Sequence, residues 1–257
     1  MRGLGLTRVP RHAAALALLL CSACTAIGTA QPKLHDFKTV GIVSAIGDTL
    51  TLTSAGLTGF KNEEQALSIE PWGLDNIVIS RITASLTRHY QVQPVTYERT
   101  AFAAAYKRDN PLPVANLLRE NPIKDLVRKQ VSPQGLDAYV VVTKATSAFG
   151  TRGRKVAGIG LIKYTELLAS YVELYALYRI SIIDGHDFKM IGERAASPLD
   201  NKENVRMEGP SRLVDPALLP TANGAADNDQ LRAAVTELIE RSLPVTLEGL
   251  RLVDPAS

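Results

Sequence analysis

The sequence predicts one α/β domain behind a signal peptide, built from a mixed, largely antiparallel sheet with helices packed on it. Segments whose apolar residues alternate, such as 171–183, are interspersed with segments whose apolar residues recur at helical spacing, such as 227–243. After the first 30 residues no stretch reaches the ~18 consecutive apolar residues of a membrane-spanning helix. The remaining chain, 31–257, has a length that suits a single domain.

The first 30 residues have the composition of a secretory signal peptide. Three arginines precede an apolar run at 13–24, and Gly28 and Ala30 have the spacing that a signal peptidase recognises. We therefore predict cleavage after Ala30 and export to the periplasm. The alternative is lipidation of Cys24, which would anchor the protein at the outer membrane, although Cys21 occupies the place of the usual leucine-like residue.

Removal of the signal peptide changes the charge and the cysteine content of the chain. The full sequence has 29 basic and 26 acidic residues, and the three arginines of the signal peptide leave 26 of each sign. A neutral chain does not favour nucleic acid as a partner. Both cysteines, Cys21 and Cys24, also lie in the signal peptide, so the exported domain has neither a disulfide nor a thiol ligand.

The first third of the exported chain predicts a hairpin followed by a helix. Two runs rich in β-branched residues flank Gly47-Asp48, a pair that is typical of a hairpin turn. Asp75 is suited to the N-cap of a helix at 76–89, where apolar residues recur at helical spacing. Trp72, the only tryptophan, is expected to pack in the core beneath the start of this helix.

The middle of the chain predicts a helix at 122–131 that begins with a proline, and then a buried strand. The strand contains the continuous apolar run Ala-Tyr-Val-Val-Val at 138–142, which is typical of a strand covered on both faces. Segments 147–170 and 197–226 are rich in glycine, proline or polar residues, and we interpret them as loop insertions.

The segment 171–197 predicts the central hairpin of the sheet. Alternate residues of its first strand form one apolar row: Val172, Leu174, Ala176, Tyr178, Ile180 and Ile182. The intervening face carries Glu173, Tyr175, Arg179 and Ser181, and is expected to be covered by a helix or to contact a partner. A final amphipathic helix at 227–243 is expected to be capped by Asp227 or Asn228.

The turn of this hairpin, Asp184-Gly185-His186-Asp187, has the composition of a metal or acid–base site. A histidine flanked by carboxylates could bind a metal or act as an oriented base. Asp-Gly is also a strong hairpin signal, and the exported chain has no second histidine or cysteine at metal-ligand spacing. The turn interpretation is therefore favoured, and no catalytic residue, metal or cofactor is predicted.

A second candidate is the glycine-rich segment 150–155, which carries Arg152, Arg154 and Lys155. It lacks the spacing of a phosphate-binding loop, because the second glycine is misplaced and no serine or threonine follows Lys155. The segment is expected to be a solvated hairpin tip. The alternative is contact with an anionic partner such as a membrane surface.

The order of elements resembles a domain shared by several bacterial envelope proteins. A strand containing Leu-Asp-Ala-Tyr-Val-Val-Val, 136–142, precedes a strand that ends Arg-Ile-Ser-Ile-Ile-Asp-Gly, 179–185, with a hairpin return. This pattern resembles the N-terminal domain of the Tol–Pal component TolB, the curli secretion-channel lipoproteins and the lipoprotein activators of penicillin-binding proteins. The resemblance implies an envelope protein that acts by protein–protein contact and supplies no catalytic residues.

We therefore expect a non-enzymatic, exported envelope protein that binds a protein partner. One alternative is an envelope hydrolase that depends on a metal or a carboxylate and uses Asp184, His186 and Asp187. Another is a peripheral module that contacts the membrane through the basic segment 150–155.

Overall fold

The computed structural model describes residues 36–55, 62–105, 122–150, 153–166, 169–199, 207–221 and 224–254. Its strands are β1 Thr39–Ala45, β2 Thr49–Ala55, β3 Asn62–Ser68, β4 Gln91–Gln93, β5 Ala138–Lys144, β6 Thr146–Phe149, β7 Arg154–Ala157, β8 Ile159–Glu166, β9 Ala169–Ala176, β10 Tyr178–Asp184, β11 Met190–Ala195 and β12 Ser211–Val214. Its helices are α1 Leu74–Leu86, α2 Arg99–Ala105, α3 Pro122–Gln130 and α4 Asp229–Gly249.

The strands form two five-stranded sheets and one ribbon. The first sheet has the order β11-β10-β5-β1-β4, in which β5, β1 and β4 are parallel and β10 is antiparallel to both of its neighbours, β11 and β5. The second sheet has the order β12-β9-β8-β2-β3, and only the β2–β8 pair is parallel. The fold is thus the predicted α/β class with mostly antiparallel pairing, divided into two sheets rather than one.

One large apolar core joins the two sheets. The six residues of the predicted apolar row in 171–183 all lie in it, together with the apolar stripes of α1 and α4. Trp72 also lies in this core with 2% of its surface exposed, as predicted. A second core covers the opposite face of the first sheet, where Phe102 of α2 and Val127 of α3 pack on Tyr139 and Val141. The apolar run of β5 is therefore buried on both faces.

The ribbon formed by β6 and β7 covers the outer face of the second sheet. Phe149 and Val156 of the ribbon pack against Ile162, Tyr164 and Tyr175 of that sheet. The segment 147–170 was interpreted from the sequence as a loop insertion. It contains most of β6, all of β7 and the whole of β8, which is the central strand of the second sheet. The segment 197–226 contributes the edge strand β12 and a short helical turn at Pro216–Leu218.

Two predicted local pairings are wrong because the chain passes from one sheet to the other. β1 and β2 do not form a hairpin around Gly47-Asp48: β1 pairs with β4 and β5, whereas β2 pairs with β3 and β8. The strand predicted at 171–183 is two strands, which separate at Leu177 and enter different sheets. At this break, Leu177 N–H donates to the Gly158 carbonyl, and the Leu177 carbonyl accepts from Ala145.

The last helix begins as predicted and is longer than predicted. The Asn228 side chain accepts a hydrogen bond from Leu231 N–H at 2.9 Å and so caps the helix. The helix continues past Pro244 to Gly249, since Leu243 and Leu247 are buried on its core-facing side. Packing therefore outweighs the helix-terminating tendency of the proline.

Candidate functional site

The turn between β10 and β11 contains the predicted Asp184, His186 and Asp187. Asp184 accepts hydrogen bonds through Oδ1 from the N–H groups of His186 at 2.7 Å and Asp187 at 3.3 Å. The His186 ring lies beside it, with Nδ1 3.5 Å from the same Asp184 oxygen and Nε2 4.0 Å from Oδ1 of Asp137. The Asp184 carboxylate thus organises the turn through its backbone contacts.

Asp137 ties this turn to the start of the first sheet. Its Oδ2 accepts hydrogen bonds from Thr39 N–H at 2.8 Å, Lys38 N–H at 2.9 Å and the Thr39 hydroxyl at 3.0 Å. The hydrogen bond from Thr39 N–H is the main reason that the pKa of Asp137 lies below its ordinary value. The Asp137 carboxylate therefore joins the residue before β5 to the start of β1, while Asp184 at the end of β10 orders its own turn.

The glycine of the turn is required for a different reason from the one the sequence suggests. The hairpin loop spans five residues, and positive φ occurs at Phe188 rather than at Gly185. A Cβ on Gly185 would collide with the carbonyl oxygen of Leu136. Gly185 also donates its N–H to the Asp137 carbonyl at 2.9 Å, so two segments of backbone pass too closely for a side chain.

The ionisable side chains of the turn are either exposed or bonded within the turn. The His186 side chain is 71% exposed, and Asp187 forms a 2.7 Å ion pair with Lys189 that lowers the pKa of the Asp187 carboxyl. Across the described ranges, no group of three or more His, Cys, Asp or Glu side chains is placed to hold a metal ion. Oδ2 of Asp137 and Oδ1 of Asp184 accept hydrogen bonds from backbone N–H groups.

The basic segment is described only in part. Arg154 and Lys155 are consecutive residues of β7, so their side chains point to opposite faces of the ribbon. Arg154 is half-buried and lies opposite Phe149, whereas Lys155 is exposed. Arg152 and Cys24 lie outside the described residues. Of the three predicted cations, the two that the structure describes therefore lie on opposite faces of the ribbon.

The polar face of the predicted 171–183 strand is mostly buried. Glu173 and Tyr175 are fully buried in the second sheet, where the ribbon packs against Tyr175, while Arg179 lies in the first sheet and pairs with Glu193 at 3.0 Å. The covering element at Tyr175 is therefore the β-ribbon, whereas the sequence had suggested a helix or a partner surface. Tyr171, at the exposed end of this face, stacks on Tyr164.

Sequence reasoning missed a buried polar network at the carboxyl end of β1. Asp75 does not cap α1, since Gly73 holds that position, and its side chain is 2% exposed. Asp75 Oδ1 accepts from the Ser44 hydroxyl at 2.6 Å and from Ile46 N–H at 2.8 Å, and Oδ2 lies 3.6 Å from Nε of Arg99. The sequence contained a signal for the burial of Asp75, because this residue lies on the same helical face as the apolar Val78, Ile82 and Leu86.

Tyr97 completes this network from the segment before α2. Its hydroxyl donates to the Ser44 carbonyl at 2.8 Å and accepts from Ser44 N–H at 3.0 Å. Burial raises the pKa of Tyr97, and the neighbouring Asp75 charge adds to that effect. The network joins β1, α1 and α2, and we interpret it as structural.

The clefts among the described residues are shallow. One of about 410 Å³ lies between α2 and α3, and its lining includes three alanines of α2 and the charged Asp125 and Lys129 of α3. These two helices flank the stretch 106–121, which lies outside the described residues. Another of about 360 Å³ lies between α1 and α4, next to the ion pair of Arg81 with Glu240.

The four edges of the two sheets differ in how they are protected against pairing with another chain. β4 has three residues and is followed by Pro94. β12 has four residues between Pro210 and Pro216. β11 carries a bulge at Ile191, where its register with β10 shifts. Short length, flanking prolines and bulges are the usual devices that prevent edge-to-edge pairing.

The fourth edge, β3, has none of these three devices, and only the charges of Glu63 and Glu64 oppose edge-to-edge pairing there. It pairs with β2 through all seven residues without a register shift and contains no proline. Ile69 N–H donates to the Asp48 carbonyl at 2.9 Å, in register with the β2–β3 ladder. Because hydrogen-bonded pairs alternate along an antiparallel ladder, Leu67, Gln65 and Glu63 also point their backbone groups toward β2. The intervening residues present their backbone N–H and C=O groups to the free edge: Asn62, Glu64, Ala66 and Ser68.

No protein-family model matches this sequence, and no curated protein sequence matches it. Several solved structures of bacterial proteins are similar to it over most of their length. Lipoprotein GNA1162 from Neisseria meningitidis is 13% identical with a TM-score of 0.26, over 79% of this chain and 97% of that chain. Protein XCC0632 from Xanthomonas campestris, of family DUF330, is 9% identical with a TM-score of 0.32, over 84% of this chain and 87% of that chain.

A putative neuraminyllactose-binding hemagglutinin homolog from Helicobacter pylori is 8% identical with a TM-score of 0.31, over 84% of each chain. At these identities and TM-scores, no binding activity is carried over from any of the three proteins. Among the helices that the structure describes, none is both long enough and apolar enough to span a bilayer.

Proposed function

We propose that this chain is an exported, non-enzymatic protein of the bacterial cell envelope that binds an extended segment of a partner protein along β3. The arginines, the apolar run and the Gly28–Ala30 site at the N-terminus support export to the periplasm. The observation that carries the binding proposal is the contrast between β3 and the three protected edges.

The geometry of β3 suits strand addition. In this mode the backbone of an added strand supplies hydrogen bonds to an exposed sheet edge, and the side chains supply specificity. The side chains of Glu64, Ala66 and Ser68 are exposed, and no strand among the described residues pairs with their side of β3. A partner strand would extend the second sheet from five strands to six.

Site-specific crosslinking in intact cells tests the binding proposal. A photo-crosslinking residue at Glu64 should give a discrete adduct with an envelope protein, whereas the same residue at exposed Thr87 of α1's C-cap should not. Ala66→Pro should abolish the adduct, because it removes an outward N–H without removing a β2–β3 hydrogen bond. Ala66→Val keeps that N–H and is the matched control.

Two outcomes would overturn the proposal. One is an adduct at Glu64 that Ala66→Pro leaves unchanged. The other is a robust hydrolytic activity of the purified protein that disappears on His186→Ala. Mass spectrometry of the N-terminus of the exported protein distinguishes cleavage after Ala30 from lipidation of Cys24 in the same sample.

A further inference from the structure

We infer that the segment bound at β3 is basic, with two adjacent Lys or Arg residues that face Glu63 and Glu64 and a bulky residue opposite Ala66. This inference rests on the proposed strand addition and adds the chemistry of the occupant. It follows from the charges, the side-chain sizes and the hydrogen-bond register of the edge.

The charge of the edge comes from two consecutive glutamates. Glu63 and Glu64 are both exposed, and neither forms an ion pair with a residue that the structure describes. As neighbours in a strand they project to opposite faces of the second sheet. Directly opposed residues of an added strand have Cβ atoms about 4.5–5.5 Å apart, where opposite charges stabilise pairing and like charges oppose it. Adjacent cations in the partner would satisfy both carboxylates.

The size preference comes from the residues that follow Glu64 on the same face. Ala66 and Ser68 are small and exposed, and Thr51, which lies opposite Ala66 in β2, is only half-buried. A large side chain opposite Ala66 can cover the exposed surface left by this small residue. β-Branched and aromatic residues are best suited to this position on a pleated surface. The expected pattern is a bulky residue separated by one position from the cation opposite Glu64.

A second copy of this chain is a poorer occupant of the edge. β3 has the sequence Asn-Glu-Glu-Gln-Ala-Leu-Ser and contains no basic residue. Antiparallel pairing of two copies along the whole strand would centre on Gln65 and place the two Glu64 side chains diagonally across the junction, with no basic residue of β3 to compensate them. The partner segment is therefore expected to come from a different protein.

Three ten-residue peptides test the inference with the full exported chain. Each alternates threonine and valine, and two adjacent central residues are lysine in the first, glutamine in the second and glutamate in the third. The lysine peptide should bind at least tenfold more tightly than the glutamine peptide, and the glutamate peptide more weakly still. Residue-resolved hydrogen exchange should show protection of the amides of Glu64, Ala66 and Ser68 by the lysine peptide.

Charge-reversal variants test whether the preference among the peptides depends on Glu63 and Glu64 or on the net charge of the protein. Glu63→Lys/Glu64→Lys should reverse the order of the peptides. Asp36→Lys/Glu208→Lys changes the net charge by the same amount at exposed sites away from β3 and should keep the original order. The slow exchange of the Gln65 and Leu67 amides, which bond to β2, shows that each variant retains the β2–β3 ladder.

The outcomes distinguish the partner chemistry from the binding mode. Equal binding of the three peptides, lost in Ala66→Pro, overturns the charge inference and leaves strand addition intact. Peptide binding that neither protects β3 amides nor responds to Ala66→Pro contradicts strand addition itself. Failure of the lysine peptide to bind the wild-type chain overturns the basic-segment inference, while the cellular crosslink at Glu64 still tests the proposed function.

Discussion

The hydroxyl of Ser44 donates a 2.6 Å hydrogen bond to Oδ1 of Asp75, which joins the carboxyl end of β1 to the first turn of α1. Asp75 is buried and also accepts from Ile46 N–H, so its carboxylate satisfies two donors that lie away from solvent. A buried carboxylate in such a network contributes to stability mainly because its removal leaves donors unpaired.

Asp75→Ala should lower the free energy of unfolding by about 3 kcal/mol, because the Ser44 hydroxyl and Ile46 N–H lose their acceptor. Urea unfolding followed by circular dichroism measures this loss. Ser44→Ala should cost about 1 kcal/mol alone and much less in the Asp75→Ala background. Additive costs in the double variant would contradict coupling between the two side chains.

Gly185→Ala should destabilise the protein by about 3 kcal/mol, since the added Cβ meets the Leu136 carbonyl and forces the backbone apart. Gly150→Ala is a useful contrast. Gly150 has positive φ but no atom within 4 Å of an added Cβ, so its cost should be about 1 kcal/mol from backbone strain alone. Thermal unfolding of the two variants measures the difference, and equal losses would refute the close-contact explanation.

The acid stability of the protein should depend on Asp137. The N–H of Thr39 is the main group that lowers the pKa of Asp137, so the folded state favours the charged carboxylate more than the unfolded chain does. The resulting stability is present above the unfolded pKa of about 3.9 and is lost as the pH falls through the lower folded value. Asp137→Asn should therefore flatten the decline in unfolding free energy below about pH 5.

Urea unfolding at a series of pH values tests this expectation. Asp36→Asn, at an exposed aspartate near the same end of the first sheet, is the matched control for the loss of one acidic charge. An Asp137→Asn curve that runs parallel to the wild-type curve would show that this carboxylate does not contribute to acid sensitivity.

The buried pair of Tyr178 and Ser242 should show coupling of about 1 kcal/mol. Their hydroxyl oxygens are 2.7 Å apart, and Ser242 donates to the Leu238 carbonyl. Ser242→Ala leaves the buried Tyr178 hydroxyl without this partner, so it should cost more in the wild type than in the Tyr178→Phe background. Burial also raises the pKa of Tyr178 well above its ordinary value, so spectrophotometric titration should show that Tyr178 stays protonated until the protein unfolds.

His186→Ala should change the free energy of unfolding by less than about 0.5 kcal/mol, because the ring is largely exposed. Calorimetric titration of the wild-type protein with Zn²⁺ should show no tight site at the turn, since the neighbouring carboxylates bond to backbone N–H groups. Asp184→Ala is the informative comparison, because loss of its two hydrogen bonds to the turn should cost about 1 kcal/mol. Tight zinc binding that requires His186 would reverse this assignment.

The sequence predicted which faces of the chain are buried better than it predicted which segments are neighbours. Alternation in 171–183 correctly assigned Val172 through Ile182 to one apolar row, because side-chain direction in a strand has a local period. The same alternation could not show that the row crosses from one sheet to the other at Leu177. The assignment of Asp75 as a helix cap failed similarly, since the cap preference is local while its Ser44 contact is set by tertiary packing.

The sequence by itself determined the α/β class, the doubly covered strand β5, the final amphipathic helix and the turn at Asp184, all of which follow from local periodicity and turn chemistry. Only the tertiary structure decided that the strands divide into two sheets, that Gly185 serves a close backbone contact, and that β3 is a long, regular edge strand without a proline or a bulge. These features depend on pairing between segments far apart in the chain. Such pairing is selected by the burial of whole surfaces, which no short stretch of sequence specifies.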